Sequence, residues 1–149
     1  MGWLDSLRGS VVGLDTMPLI YYIEENPSYL DAVEPFFDAI ERGEFMVITS
    51  IITLLEVLVH PIRDGDPILA QRYRDLLFDT EGLSIVLLDP EIAEEAARLR
   101  ASYNIRTPDS IQMATAISEG ASFFLTNDTR LPSLPNLKTL VLEDLKKES

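Results

Sequence analysis

Cysteine is absent from this sequence of 149 residues, and only one histidine, His60, is present. The absence of cysteine excludes disulfides, cysteine-ligated zinc, iron–sulfur clusters and a cysteine nucleophile. A single histidine leaves almost no material for a histidine-rich metal site or a serine–histidine–aspartate triad. Because His60 stands directly before Pro61, at the end of an apolar run, we expect it to end a helix rather than to act as a base.

Long apolar runs, low-complexity segments and internal repeats are also missing. No run approaches the ~20 apolar residues of a membrane-spanning helix, and the first residues lack the basic start and apolar core of a signal peptide. We therefore expect a cytoplasmic protein without a membrane partner. The 46% of hydrophobic and 25% of charged residues are typical of one globular domain. We expect that domain to span residues 1–149, with residues 1–10 and 143–149 peripheral or flexible.

Positive charge is scarce. The chain carries 12 lysines and arginines against 25 acids, a formal net charge of −13. This balance argues against a passive nucleic-acid binder, whose affinity comes mainly from basic side chains on phosphates. The acids could instead hold metal cations or meet a basic partner, and solubility alone is the simplest alternative.

Short apolar strands alternate with helical stretches along the chain. The pattern predicts strands at 11–14, 45–48, 83–88, 122–126 and 137–142. Helices are predicted at 16–25, 29–42, 50–60, 67–78, 90–103 and 107–119, with a loop over 61–67. Alternating strands and helices of this kind favour an α/β fold with a parallel sheet that is covered on both faces.

Two aspartates follow predicted strands, and a third begins a predicted helix. Asp15 follows the first strand and Asp128 follows the fourth. Asp109 lies in the first turn of the helix that directly precedes the fourth strand. Open parallel sheets place their sites beyond the carboxyl ends of the strands. Each residue also has an ordinary explanation: Asp15 could cap the next helix, Asp109 could interact with its helix dipole, and Asp128 could be a turn residue.

Glu56 stands in a helix that is apolar nearly all round, so we expect its side chain to point into the protein. A charged group in that position is unfavourable unless it is paired or bound to a metal. Pairing with Arg63 or Arg106 is the ordinary explanation for this glutamate.

If all four acids lie close together, their negative charges must be neutralised. At ~5 Å and an effective dielectric of ~20, each of the six pairs repels by roughly 3 kcal/mol, on the order of 20 kcal/mol in total. That sum exceeds the stability of a typical domain. Mg²⁺ or Mn²⁺ suits carboxylate and water ligands, and two such ions can support phosphodiester hydrolysis.

Four segments resemble the PIN-domain family in their order and spacing, and within it the VapC-type toxins of toxin–antitoxin modules. They are Gly13-Leu14-Asp15-Thr16, Leu54-Leu55-Glu56-Val57, the run 107–116 from Thr107-Pro108-Asp109 onward, and Phe124-Leu125-Thr126-Asn127-Asp128. The likeness runs from about Val11 to Leu142. It implies a three-layer fold with a central parallel five-stranded sheet flanked by helices.

The resemblance also implies an activity: Mg²⁺- or Mn²⁺-dependent cleavage of RNA in the cytoplasm. The residues that match the family's acidic catalytic and metal-binding positions are Asp15, Glu56, Asp109 and Asp128. The polar residues expected to support them are Thr16, Thr126 and Asn127. For a toxin, the family further implies a homodimer and a small antitoxin that covers the pocket, often with a basic residue.

Other hypotheses remain open beside this one. A receiver domain would need a pair of acids near the first strand, and a phosphohydrolase would need an Asp-x-Asp motif, but Asp15 stands alone. A catalytically silent PIN-like scaffold or binding subunit is the main alternative. Candidate phosphate contacts, each of which could equally belong to a solvated helix face, are Arg72, Arg74, Arg98, Arg100, Arg106 and Arg130. Candidate protein contacts, which could equally pack in the core, are Trp3, Tyr21 and Tyr22.

Overall fold

A sheet of five parallel strands forms the centre of the computed structural model, which describes residues 2–146. The strands are β1 (Val11–Leu14), β2 (Met46–Ser50), β3 (Leu83–Val86), β4 (Phe123–Thr126) and β5 (Lys138–Val141). Their order in the sheet is β3-β2-β1-β4-β5, and every neighbouring pair is parallel. The predicted fold class is therefore confirmed.

Within residues 2–146, seven α-helices connect and flank the strands. They are α1 (Thr16–Ile23), α2 (Leu30–Glu41), α3 (Ile51–Arg63), α4 (Pro67–Asp79), α5 (Pro90–Ser102), α6 (Thr107–Ser118) and α7 (Leu142–Leu145), preceded by a 3₁₀ helix at Trp3–Leu7. Four of them begin behind a side chain that accepts a hydrogen bond from a free backbone N–H, the usual N-cap arrangement. These caps are Asp15, Ser50, Asp66 and Asp89.

The two faces of the sheet carry separate cores, which gives the molecule its three layers. Successive side chains of a strand point to opposite faces. Phe124 accordingly packs with the buried residues of α5 and α6, whereas Leu125 packs with those of α1 to α4. Because both faces are covered, the strands are mostly apolar, as parallel strands usually are.

Gly13 allows α6 to approach the sheet closely. A Cβ atom at this position would lie 2.7 Å from the Cβ of Ala116 and 3.0 Å from the ring of Phe124. Only a residue without a side chain fits there, and that residue is two positions before Asp15. The close contact fixes α6, and therefore Asp109, against the strand that ends at Asp15.

The structure corrects the predicted ends of α3 and β3. The loop predicted over 61–67 is shorter because α3 continues through Pro61 to Arg63. Pro61 lacks one backbone donor, but the N–H of Asp64 still bonds to the carbonyl of His60 at 2.9 Å, so the last turn persists. The third strand ends at Val86 rather than at residue 88, and Leu87 is 70% exposed.

The outer surface of α3 is partly apolar. The segment is apolar nearly all round in sequence, but Leu55 and Ile62 are 64% and 63% exposed. The helix packs against α1 and α4 and leaves an apolar stripe on its outer face.

Each of the two segments expected to be peripheral or flexible contains a buried residue. Leu7 is fully buried and Leu145 is 5% exposed, and both belong to the core on the α1 to α4 face. Residues 147–149 of the expected flexible end lie outside the described residues. Within residues 2–146, no helix combines the length and apolarity needed to cross a membrane.

The three aromatic residues that are candidate protein contacts pack within the molecule instead. Trp3 stacks on Phe36 with ring centroids 6.0 Å apart, and Tyr22 stacks on Phe37 at 4.2 Å. Tyr21 stacks on a further tyrosine, Tyr29, at 4.4 Å. All three side chains remain partly exposed.

Candidate active site

The carboxyl ends of β1 and β4 form the point at which the sheet changes direction. From β1 the chain builds outward through β2 to β3, and it then returns to place β4 on the other side of β1. Such a reversal leaves a crevice between the two strands, and it is the usual site position in open α/β sheets. Asp15 follows β1 directly and Asp128 lies two residues beyond β4.

All four predicted acids line one cavity of about 630 Å³ at this crevice, namely Asp15, Glu56, Asp109 and Asp128. The structure therefore brings together residues from β1, α3, α6 and the loop after β4. Apolar contact surface on the wall comes from Met17, Ile20 and Tyr21, and the remaining side chains include His60, Arg106 and Arg130.

Asp15 is the most deeply buried of the four acids and is 8% exposed. Its Oδ1 accepts a hydrogen bond from the backbone N–H of Thr16 at 2.8 Å, and its Oδ2 accepts one from the hydroxyl of Thr126 at 2.7 Å. Burial raises the pKa of Asp15 to about 6, helped by the charges of Asp109 and Glu56 and opposed by the two hydrogen bonds. Asp15 is thus both the expected helix cap and a member of the pocket.

Glu56 is half-buried and has no arginine partner among the described residues. Its Oε1 accepts a hydrogen bond from the hydroxyl of Thr16 at 2.6 Å. The ordinary explanation, pairing with Arg63 or Arg106, is therefore not what the structure contains. Thr16 links Glu56 to Asp15 because its backbone and its hydroxyl serve one carboxylate each.

Arg106 and Arg130 accompany the two acids at the outer end of the pocket. The guanidinium of Arg106 lies 3.5 Å from the carboxylate of Asp109, and Arg130 donates to both oxygens of Asp128 at 3.0 and 2.9 Å. Burial raises the pKa of Asp109 although Arg106 opposes the shift. Hydrogen bonding from Arg130 lowers the pKa of Asp128, which remains an ionised carboxylate.

Thr126 connects the inner and outer acids. Its hydroxyl donates to Asp15, and the same oxygen accepts a hydrogen bond from the backbone N–H of Asp128 at 3.0 Å. Its side chain is fully buried. Thr16 and Thr126 therefore each hold carboxylates of the pocket by hydrogen bonds.

Asn127 is a structural anchor. Its Nδ2 donates to the hydroxyl of Tyr21 at 3.0 Å, and its Oδ1 accepts from the backbone N–H of Glu143 at 2.9 Å. Both ends of the amide thus form hydrogen bonds, one to α1 and one to α7. The residue also lines the cavity, and its expected role beside the four acids stays a prediction.

The charge interactions link the carboxylates in a row, in the order Glu56, Asp15, Asp109 and Asp128, rather than each with every other. Asp15 is affected by Glu56 and Asp109, and Asp109 is affected in turn by Asp128. Among the described residues, no three acidic or histidine side chains form a group that could hold one metal ion between them. The repulsion expected for four mutually close charges is correspondingly reduced.

Sequence reasoning missed His60 as a member of the pocket wall and missed the buried polar residues beneath it. The sequence predicts that His60 ends its helix, but α3 runs three residues further, and the imidazole lines the cavity. Gln112 and Thr53, 2% and 0% exposed, form hydrogen bonds under the acids. A glutamine one turn after Asp109 is visible in the sequence, but its partner depends on how α3 and α6 cross.

Fold and site together define a class of protein: a three-layer α/β domain with an acidic crevice at the point where the strand order reverses. The PIN-domain model matches residues 12–137, which is most of the chain. The chain belongs to the PIN-domain family, a family of nucleases. No curated protein sequence matches it significantly.

Solved structures with the same fold include chains of toxin–antitoxin complexes. One, a toxin–antitoxin complex from Klebsiella pneumoniae, is 25% identical over 86% of this chain and 95% of that chain, with a TM-score of 0.64. VapBC2 from Rickettsia felis, bound to a DNA fragment from its promoter, is 19% identical over 88% of this chain and 98% of that chain, with a TM-score of 0.70. DNA-bound VapBC from Salmonella typhimurium is 19% identical over 89% of this chain and 98% of that chain, with a TM-score of 0.67.

Proposed function

We propose that this chain is a metal-dependent endoribonuclease and the toxin of a toxin–antitoxin pair that acts in the cytoplasm. The observation that carries the proposal is the row of four carboxylates along one crevice, flanked by two arginines. Membership of a nuclease family and the likeness to chains of toxin–antitoxin complexes support it.

The residues present fit Mg²⁺ or Mn²⁺. Carboxylate oxygens are the ligands that these ions prefer, and Mg²⁺ commonly keeps several waters and uses only one or two protein carboxylates together with substrate phosphates. A site in which no three acids surround one ion is compatible with this mode of Mg²⁺ coordination. The raised pKa values of Asp15 and Asp109 mark carboxylates that a cation would stabilise. The residues that would hold it are Asp15, Glu56, Asp109 and Asp128.

When bound, such an ion supplies a water of lowered pKa and stabilises the charge that develops on the phosphate. The protein's own residues hold the reacting groups around it. Thr16 and Thr126 keep the carboxylates of Glu56 and Asp15 in fixed orientations. Glu56 bonds to Thr16 through its Oε1, and in this proposal its second carboxylate oxygen accepts a proton from a water in the pocket.

RNA is the substrate that the two ends of the crevice favour. Arg106 and Arg130 are 71% and 73% exposed and offer guanidinium groups to backbone phosphates, which bind Arg in bidentate fashion. Met17 and Ile20, which also line the cavity, offer apolar surface to a base. Recognition of unstacked, single-stranded RNA uses this combination of phosphate contacts and base contacts.

An antitoxin and a second copy of the chain are the proposed protein partners. The acidic crevice is complementary to a basic side chain of an inhibitor, and the exposed apolar stripe of α3 lies beside it. Leu55, Val59 and Ile62 form that stripe at helical spacing. Exposed apolar residues in a continuous patch are typical of surfaces that are covered in a complex.

The proposal is tested by inducing the chain in bacterial cells and following growth and RNA integrity. We expect growth arrest and new RNA ends with the wild-type chain, and neither with Asp109→Asn. Asp38→Asn, which removes one exposed carboxylate on α2 and is remote from the crevice, is the matched control and should behave as wild type. Equal arrest by the Asp109→Asn chain would favour the silent-scaffold alternative, because toxicity would then not need the acids.

A further inference from the structure

Two buried polar side chains join the helices that carry Glu56 and Asp109. The amide nitrogen of Gln112 on α6 donates a hydrogen bond to the hydroxyl of Thr53 on α3 at 2.6 Å. Both side chains are at most 2% exposed. With Thr49 and Ser50 they form one group of buried polar residues that hydrogen-bond to one another.

The position of this bond relates it to the carboxylates. Gln112 is three residues after Asp109, and Thr53 is three residues before Glu56. Residues three apart lie on the same face of a helix, one turn from each other. The hydrogen bond therefore connects α3 and α6 one turn beneath the two acids that these helices present to the crevice.

The direction of the hydrogen bonds requires a glutamine at position 112. Thr49 donates its only hydroxyl hydrogen to the carbonyl of Leu14 at 2.8 Å, so Thr53 must donate in its 2.6 Å contact with Thr49. Thr53 can then only accept from position 112, and the amide nitrogen of Gln112 is the donor it needs. A glutamate of the same shape would place an acceptor against an acceptor.

The other end of the glutamine holds the start of α3. Its Oε1 accepts from the backbone N–H of Ser50 at 3.2 Å, and Ser50 caps the helix through the N–H of Ile52. Through Thr49 and the carbonyl of Leu14, the same network reaches the strand that ends at Asp15. One chain of buried hydrogen bonds thus links the elements that carry Asp15, Glu56 and Asp109.

We propose that Gln112 and Thr53 are positioning residues that fix the separation of Asp109 and Glu56, and thereby set the affinity of the crevice for a divalent cation. The inference rests on the proposed function. Neither side chain is among the residues that line the cavity. A fully satisfied buried network specifies one arrangement of the elements that it joins, whereas apolar contacts permit sliding.

The test is the affinity of the purified chain for Mn²⁺, measured from the electron paramagnetic resonance signal of the free ion. Thr53→Val keeps the shape and removes the hydroxyl, and Gln112→Met keeps the length and removes the amide. Thr115→Val is the matched control: Thr115 is 1% exposed on α6, but its hydroxyl bonds only to the carbonyl of Ile111 in its own helix. Chemical unfolding of each variant measures the stability that is lost.

We expect Thr53→Val and Gln112→Met to bind Mn²⁺ at least tenfold more weakly than the wild-type chain, and Thr115→Val to bind as wild type at a similar loss of stability. The double variant should be no weaker than either single one, because both break the same link. If Gln112→Met does not fold, Thr53→Val decides the question.

Wild-type affinity in both Thr53→Val and Gln112→Met would overturn the inference while leaving the proposed function intact. A loss that Thr115→Val shares, in proportion to stability, would also overturn it, because the role would then be structural only. A wild-type chain that does not bind Mn²⁺ would overturn the proposed function and this inference with it.

Discussion

At the scale of single residues, Asp15 carries its charge where burial makes that charge unfavourable. Two hydrogen bonds offset only part of the effect, and the pKa remains raised to about 6 from an ordinary value of 3.8. The folded chain therefore binds more protons than the unfolded chain between about pH 4 and pH 6. Stability from this group is present at low pH and is lost as the pH rises through that window.

Asp15→Asn should stabilise the chelator-treated protein. The amide oxygen can still accept from the N–H of Thr16, while the buried charge is removed. A shift of this size corresponds to roughly 3 kcal/mol, so we expect a gain of up to that amount at pH 8 and almost none at pH 4. Denaturant unfolding at several pH values measures the difference. A wild-type chain that gains stability relative to Asp15→Asn as the pH rises from 4 to 6 would contradict this account.

Arg130 has two possible partners, the carboxylate of Asp128 and a substrate phosphate. If it binds phosphate, Arg130→Gln should weaken RNA binding and reduce the slope of log affinity against log salt by about 0.7. The cleavage-deficient Asp15→Asn chain allows binding to be measured without hydrolysis. Arg98→Gln removes a similarly exposed arginine that pairs with Glu95 on α5, far from the crevice. An unchanged slope in Arg130→Gln, or an equal change in Arg98→Gln, would remove the phosphate role.

At the scale of helices and strands, the contact between Gly13 and α6 positions the acids. Gly13→Ala should place a methyl group 2.7 Å from Ala116 and force α6 away from β1. We expect a loss of about 1–3 kcal/mol in the free energy of unfolding. We also expect a loss of nuclease activity under conditions where the variant remains folded, because Asp109 moves with the helix.

Gly2→Ala is the control for that substitution, since a Cβ at residue 2 meets nothing within 4 Å. It should leave stability and activity unchanged. Full activity in a folded Gly13→Ala chain would show that the spacing between β1 and α6 does not matter to the site.

The ends of β1 and β4 can be located from the sequence because short apolar strands bounded by polar residues are a local pattern. Since parallel strands end at a common edge, the sequence alone suffices to place Asp15 and Asp128 in one site. Asp109 and Glu56 can be placed there only with the help of the family resemblance. Their positions depend on how α6 and α3 lie across the sheet.

The features that sequence reasoning cannot supply are those that depend on helix crossing. The bond between Gln112 and Thr53 joins residues 59 positions apart, and no local pattern pairs them. The continuation of α3 past Pro61 contradicts a local rule that proline ends a helix, because only one backbone hydrogen bond is lost there. The exposed stripe of α3 likewise follows from which face packs, which the nearly uniform apolarity of the segment does not reveal.

At the scale of the whole molecule, a net charge of −13 repels RNA and leaves the crevice arginines as local exceptions. With two phosphate contacts to a single strand, log affinity should fall with log salt at a slope of about −1.4. RNA affinity should therefore decrease by less than about tenfold between 50 and 200 mM salt. A filter-binding titration of the Asp15→Asn chain measures it. A loss of about a thousandfold would indicate many more phosphate contacts than the crevice offers.

The central claim is that the acidic crevice cuts RNA with the help of a divalent cation. The most direct measurement is a cleavage map of total cellular RNA treated with the purified wild-type chain or Asp109→Asn, each with Mn²⁺ and with chelator. We predict cuts at defined positions only for the wild-type chain with Mn²⁺. Cuts that persist in the Asp109→Asn chain or in chelator, or no cuts under any condition, would contradict the account.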